Sequence, residues 1–287
     1  MPDTALSLIG FMDEQQAHTY LLKTCALRPD QQTSAMLTAT WQAAHARLAT
    51  PIVNAGFPDI QPIPLVHKDY LERVIAHPRF INPIDGMDVD FALVEIEPLL
   101  AYQQHIWVEH SYEMCRDLPD NPSTEQVLRV CLPEQIQPIG SDVEVRHGPQ
   151  PGQVAIVVID LDIEAQSLAI YPTPDPSAHF VGWLHRRRLP YVQVARFNGK
   201  CYLRNGFHRV YGLVAKGVTH VPCIFLEAPT PGQAGIRPGR SFDLALLESD
   251  NPPTVAHLTR GHAVRLPLQR LEGVIQLTVQ TGTQPAP

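Results

Sequence analysis

The chain has 287 residues, 44% hydrophobic and 18% charged, with a formal net charge of -7. That balance supports a globular core of one large or two modest domains and excludes a broadly basic nucleic-acid surface. No run of about 18 apolar residues is present to span a membrane, and the start, MPDTALSLIGFMDEQQ, lacks the basic and apolar regions of a signal peptide. The expectation is a cytoplasmic protein.

In chain order, the first pattern predicts a helix over Met12 to Leu27, and Pro29 then opens a second from Asp30 to Thr50. Pro29 suits a first-turn position, and Ala35, Met36, Ala39, Ala43, Ala46 and Leu48 recur at helical spacing. Trp41 is expected to anchor this helix on its neighbour. Pro51 to Pro64 is proline-rich and reads as a linker or wrapping arm. A short helix follows from Lys68 to Ala76 and stops at Pro78. Val89 to Ile96 alternates as a strand, and Pro98 to His105 reads as helical. Asn121-Pro122-Ser123 opens a helix to Cys131, with Thr124 and Glu125 suited to its first turn.

Val143 to Arg146, Val154 to Asp162 and Leu168 to Tyr171 read as strands. Asp160 and Asp162 fall on one face of theirs, where two carboxylates would be solvated edge acids or would hold a cation such as Mg2+. A helix is predicted from Ser177 to Arg187, ending in Arg186, Arg187 and Arg188. These three would complement the helix dipole or touch a phosphate. After Leu226, Pro229 to Arg240 reads as a basic loop. Ser241 is expected to cap a helix to Glu248, and Val274 to Val279 to form a last strand before a disordered tail.

The five cysteines, Cys25, Cys115, Cys131, Cys201 and Cys223, are scattered, without C-x-x-C spacing. They predict buried thiols rather than disulfides or a zinc site. Thirteen histidines include two pairs five apart, His105 with His110 and His257 with His262, a spacing that does not share one helix face. No structural metal is expected. Internal repeats, coiled-coil heptads and a helix-turn-helix signal are all lacking, so sequence-specific DNA binding is not expected either.

The most informative stretch is Val192 to Leu226, VQVARFNGKCYLRNGFHRVYGLVAKGVTHVPCIFL. Asn198-Gly199 between two β-rich runs predicts a type I′ hairpin. Asn205-Gly206 predicts a corner where a strand hands over to a helix, Phe207 to Lys216, which stops at Gly217. Val221 to Leu226 then returns as a strand. Phe207, His208 and Arg209 would stand at a helix N-terminus, which favours an anion.

The segment Tyr202 to Leu226, with its strand, N-G-x-H-R corner, helix and Val-Pro return, resembles the ParB/sulfiredoxin-like superfamily. FALVEIEPLLAYQQHI is similar to the early strand-helix unit of that fold. The resemblance implies an α/β core sheet with packed helices. The expected layout is an N-terminal helical region and linker at 1–84, a core at 85–227 and a short extension at 228–287. It also implies a nucleotide held by its phosphates at Asn205, Gly206, Phe207, His208 and Arg209; the run Arg186 to Arg188, with Arg187 at its centre, is expected to close the far side because it directly precedes the core strand. A nucleoside triphosphate with Mg2+ is the expected ligand, and nucleotidase or phosphotransfer activity the catalytic form of that reading. Phe207 stands where sulfiredoxins carry cysteine, and Asn205 where the serine-kinase version carries aspartate. These departures favour the alternative, a non-catalytic module whose corner is structural or organises a protein-partner surface.

Overall fold

The computed structural model describes residues 3–23, 30, 33–50, 52, 56–77, 80, 87–135, 143–147, 153–158, 163–172, 174–175, 177, 179–187, 191–237, 241–268 and 273–278. The elements in chain order are β1 (Asp3–Ser7), α1 (Glu14–Lys23), α2 (Ser34–Arg47), β2 (Ile60–Pro62), α3 (Lys68–Ile75), β3 (Val89–Glu95), β4 (His105–Trp107), α4 (Val108–Met114) and α5 (Thr124–Cys131). Then come β5 (Val143–His147), β6 (Gln153–Val158), β7 (Ile163–Pro172), β8 (His179–Arg187), β9 (Gln193–Phe197), β10 (Lys200–Asn205), α6 (Phe207–Ala215), β11 (His220–Glu227), α7 (Leu244–Leu247), α8 (Val255–Thr259), β12 (Val264–Leu268) and β13 (Gly273–Thr278). The fold class is α/β. Two compact units form, Met1–Glu134 with Pro190–Arg270, and Gln135–Leu189 with Leu271–Pro287. No helix among the described residues is long and apolar enough to cross a membrane.

The first unit is built on a sheet of order β10-β9-β11-β3-β2. Its nucleus is the β9–β10 hairpin, where Asn198 and Gly199 take φ of 48° and 72°, the left-handed pair that a type I′ turn demands. β11 lies parallel to β9, with Phe225 opposite Val194, and antiparallel to β3, with Val221 opposite Val94. The run Val221 to Leu226 is buried at every position, as a strand covered on both faces should be. Tyr202 and Val221 therefore share one sheet, as the corner and the Val-Pro return predicted.

A second sheet, of order β12-β1-β4, is not anticipated by the sequence reading. Leu6 stands opposite Arg265 on one side and Ile106 on the other, so residues near 5, 106 and 265 meet in one layer. Ala5 and Ile106 are wholly buried and Leu6 nearly so. This layer corrects two expectations. Pro98 to His105 is not a helix: Leu99 closes a turn on Ile96 O at 3.1 Å, Leu99, Leu100 and Ala101 are buried, and Leu100 bridges to both Tyr202 and Thr254. The expected layout at 1–84, 85–227 and 228–287 also differs from the observed division, because β1, β4 and β12 draw both flanks into the unit that holds the core sheet.

Helix ends follow local chemistry. Thr33 caps α2, and Trp41 docks it on α1's entry by donating its indole N–H to Met12 O at 3.0 Å. Ser123 and Gln126 form a reciprocal capping box on α5. Replacing Ser123 with Ala should cost about 1 kcal/mol, read from the shift in urea midpoint at unchanged slope. Ser241 does not cap α7 as expected. Its hydroxyl accepts the Arg237 N–H at 2.9 Å, and the N-cap of α7 is Asp243, two residues later.

The second unit consists, among the described residues, of a sheet of order β13-β6-β5 and the two-stranded β7–β8. The helix expected from Ser177 to Arg187 is instead β8, paired antiparallel with β7 from Ile163–Arg187 to Pro172–His179. Phe180, Val181 and Trp183 have strand preference, and the long antiparallel ladder to β7 outweighs any helical spacing. Asp160, Asp162, Arg188 and the terminal tail lie outside the described residues.

Candidate functional site

The corner is prepared by a bulge. Leu203 pairs with Val194 and Asn205 with Gln193, which leaves Arg204 as the extra residue of β10. The bulge aims the Arg204 guanidinium back along the sheet, where Nη1 donates to Gln193 Oε1 at 2.7 Å. Its carbonyl accepts the Tyr102 hydroxyl at 2.5 Å. Asn205 then locks the turn from both ends of its amide. Nδ2 donates to Tyr191 O at 2.9 Å, and Oδ1 accepts the Gly206 N–H at 2.9 Å.

Gly206 takes φ 99° and ψ 18° as the N-cap of α6. A Cβ there would sit 2.8 Å from Val192 Cγ2, so glycine is required by conformation and by space. A helix leaves its first N–H groups without intrahelical acceptors, and Gly206 has no side chain with which to cap them. Val210 N–H closes the first helical bond on Gly206 O at 2.9 Å.

The three residues after the glycine diverge. Phe207 is buried and packs edge-on against Tyr102, ring centroids 5.4 Å apart. Burial pushes the Tyr102 hydroxyl up to about 12, against the pull of Arg204 and Arg237, so it stays neutral and holds the bulge. His208 is half-buried, its ring 5.0 Å from that of His110 at an interplanar angle of 72°. Arg209 is only 7% exposed. Burial raises the thiol of Cys115 to about 11, and Arg209 opposes that rise; the same balance holds at Cys131. Arg209 is thus a buried charge that acts on the thiols at the ends of α4 and α5.

His110 was missed by the sequence reading. It reaches the corner because Gly212 lets α4 and α6 touch: a Cβ at 212 would lie inside contact distance of Ser111 O and 2.8 Å from Cys115 Sγ. A glycine in the interior of an otherwise helical run, YGLVA, was the available signal, since it marks close backbone approach. Tyr102 and the bulged Arg204 were likewise missed, although Arg204 directly precedes the Asn-Gly pair.

No known family, curated protein or solved structure matches this chain. The corner must therefore be read from its own chemistry. Asn205, Gly206, Phe207, His208 and Arg209 are brought together as one turn. Arg187 lies on β8 in the second unit. Among the described residues no group of three or more His, Cys, Asp or Glu side chains is placed to hold a metal. Cys115, Cys131, Cys201 and Cys223 are free and buried, and burial raises Cys201 to about 12, which leaves a protonated thiol. Four cavities lined by described residues are walled by segments other than 205–209. One of them, about 690 Å3, lies over β2, β3, β9 and β11 and carries Asp59, Asp88, Asp90 and Glu227 against the single cation Arg196, which is itself paired with Glu227, a lining unsuited to an anion.

Proposed function

We propose that the first unit binds the phosphate groups of a nucleotide at the Asn205–Arg209 corner. The observation that carries this reading is the left-handed Gly206 at the junction of β10 and α6. It removes side-chain bulk at the point where the helix dipole and the first-turn N–H groups converge. His208 adds an imidazole beside them, and the bulge sets Arg204 one residue upstream. The resemblance of Tyr202 to Leu226 to the ParB/sulfiredoxin-like superfamily supports the same ligand class, a nucleoside triphosphate with Mg2+. Turnover would be nucleotidase or phosphotransfer chemistry, with the His110–His208 pair as the nearest proton-carrying groups to the corner.

A second reading is favoured by the burial of Arg209 beside Cys115 and Cys131. In it the corner is a structural turn of a non-catalytic module, and Arg209 organises α4 and α5.

A thermal-shift panel of nucleoside triphosphates with and without Mg2+ tests the first reading; a ligand at 100 times its Kd should add about 2.7 kcal/mol. Calorimetric titration of His208→Gln against the best nucleotide should then show a loss of about 1.5–3 kcal/mol, the range for a hydrogen bond to a charged group. His208 is the better probe because Arg209→Ala also empties a buried position. No stabilisation by any nucleotide, or equal affinity in a folded His208→Gln, leaves the structural reading standing.

A further inference from the structure

The first unit also holds a cavity of different chemistry. A cavity of about 640 Å3 lies among α2, α6, α8 and β12, within the range of about 300–1,000 Å3 usual for small-molecule sites. Its floor is apolar: Leu6, Leu258 and Val264 are each no more than 6% exposed. Its rim carries Arg47 and Arg265, both exposed, with Tyr211 at one wall. No Asp or Glu lines it among the described residues.

That last feature sets these two arginines apart. Arg73, Arg116, Arg129, Arg146, Arg196 and Arg260 each face a carboxylate. Arg47 instead spends Nη1 on two backbone carbonyls, Gly261 O at 3.1 Å and Ala263 O at 2.7 Å. These bonds hold the guanidinium at the cavity mouth without neutralising it. Arg265 is fixed on β12 by its register with Leu6, and the described residues give it no ion pair. Glu109 lies within its field, yet that carboxylate accepts the Thr4 N–H at 2.7 Å. In a chain with more acidic than basic residues, two guanidiniums over one apolar floor, neither in a direct ion pair among the described residues, form a locally positive mouth. Tyr211, raised to about 12 chiefly by burial, stays neutral and adds a hydroxyl rather than a charge.

From this arrangement we infer that the cavity binds an organic anion, a carboxylate or phosphate head carried on an apolar body. The head sits between Arg47 and Arg265, which match oxyanions in planar, bidentate fashion. The body covers Leu6, Leu258 and Val264. This site is independent of the nucleotide reading, since it shares no residue with the 205–209 corner.

Calorimetric titration of the full chain with sodium octanoate and with octyl phosphate tests the inference, with 1-octanol as the uncharged comparison. Saturable binding of at least one of the two anions is expected, at least tenfold weaker in Arg265→Gln and much weaker for the alcohol. The stronger of the two names the head group. Arg265→Gln should keep the wild-type melting profile because the side chain is exposed and makes no hydrogen bond within the described residues. Arg47→Gln also removes the two carbonyl contacts and is the secondary variant. The inference fails if neither anion binds saturably, if folded Arg265→Gln binds as tightly as wild type, or if the alcohol binds equally well.

Discussion

Gly212→Ala is expected to destabilise the first unit by about 3 kcal/mol, at the upper end of the range for overpacking. The added methyl would press into the Ser111 carbonyl and the Cys115 sulfur, neither of which can yield cheaply: Ser111 belongs to the backbone of α4, and Cys115 is 2% exposed. Relief requires α4 to move off α6. The movement would also part His110 from His208 and loosen the Cys115 thiol, which donates to Arg209 O at 3.7 Å. Urea unfolding followed by circular dichroism measures the loss. A control, Gly232→Ala, places its methyl in open space and should change stability by well under 1 kcal/mol. If both variants unfold at the wild-type urea concentration, the close α4–α6 contact is not present in solution.

Acid should weaken the fold through a partly buried histidine. His105 lies on β4 with its Nδ1 bonded to the Tyr20 hydroxyl, and burial depresses its pKa to about 4 from an ordinary value near 6.5. The unfolded chain takes up this proton first. The stabilising contribution of neutral His105 is therefore complete above about pH 6.5 and falls away as pH drops through the window from about 6.5 to 4. The depression corresponds to an upper limit of about 3 kcal/mol at pH 7. His257, at about 4 for the same leading cause of burial with His262 adding to it, acts in the same direction. His105→Gln should flatten the slope of unfolding free energy against pH across that window. A slope unchanged by the substitution would mean that His105 titrates normally in the folded protein.

The parts of the fold legible in the sequence are those decided within a few residues. Asn198-Gly199 requires two positive φ values, and the structure supplies them; Asn205-Gly206 requires a corner, and Gly206 supplies it. The Ser123 start of α5 was equally local. What was not legible depends on partners far away. β1 and β12 are five residues each, with no alternation strong enough to declare a strand, and each is made a strand by the other across more than 250 positions. β4 is three residues long and exists because β1 is beside it. β8 was mistaken for a helix because the apolar letters Phe180, Val181, Trp183 and Leu184 do not alternate strictly along the sequence and so blur the period. The candidate site divides in the same way. The turn 205–209 could be read from its own letters. The burial of Arg209 and the arrival of His110 are products of helix packing that no local pattern encodes.

The pairing of β1 between β4 and β12 also sets an order of events at the ribosome. Once residues 105–107 have emerged, β1 can take β4 as a neighbour, but its other edge waits for residues 264–268. At about 5–20 residues per second, the intervening synthesis lasts roughly 8–32 s. For that interval the nascent chain presents an unpaired strand edge bearing Leu6 and Ala5, a template for any other extended segment. The completed layer hides both side chains, so the hazard belongs to biogenesis and vanishes in the finished molecule.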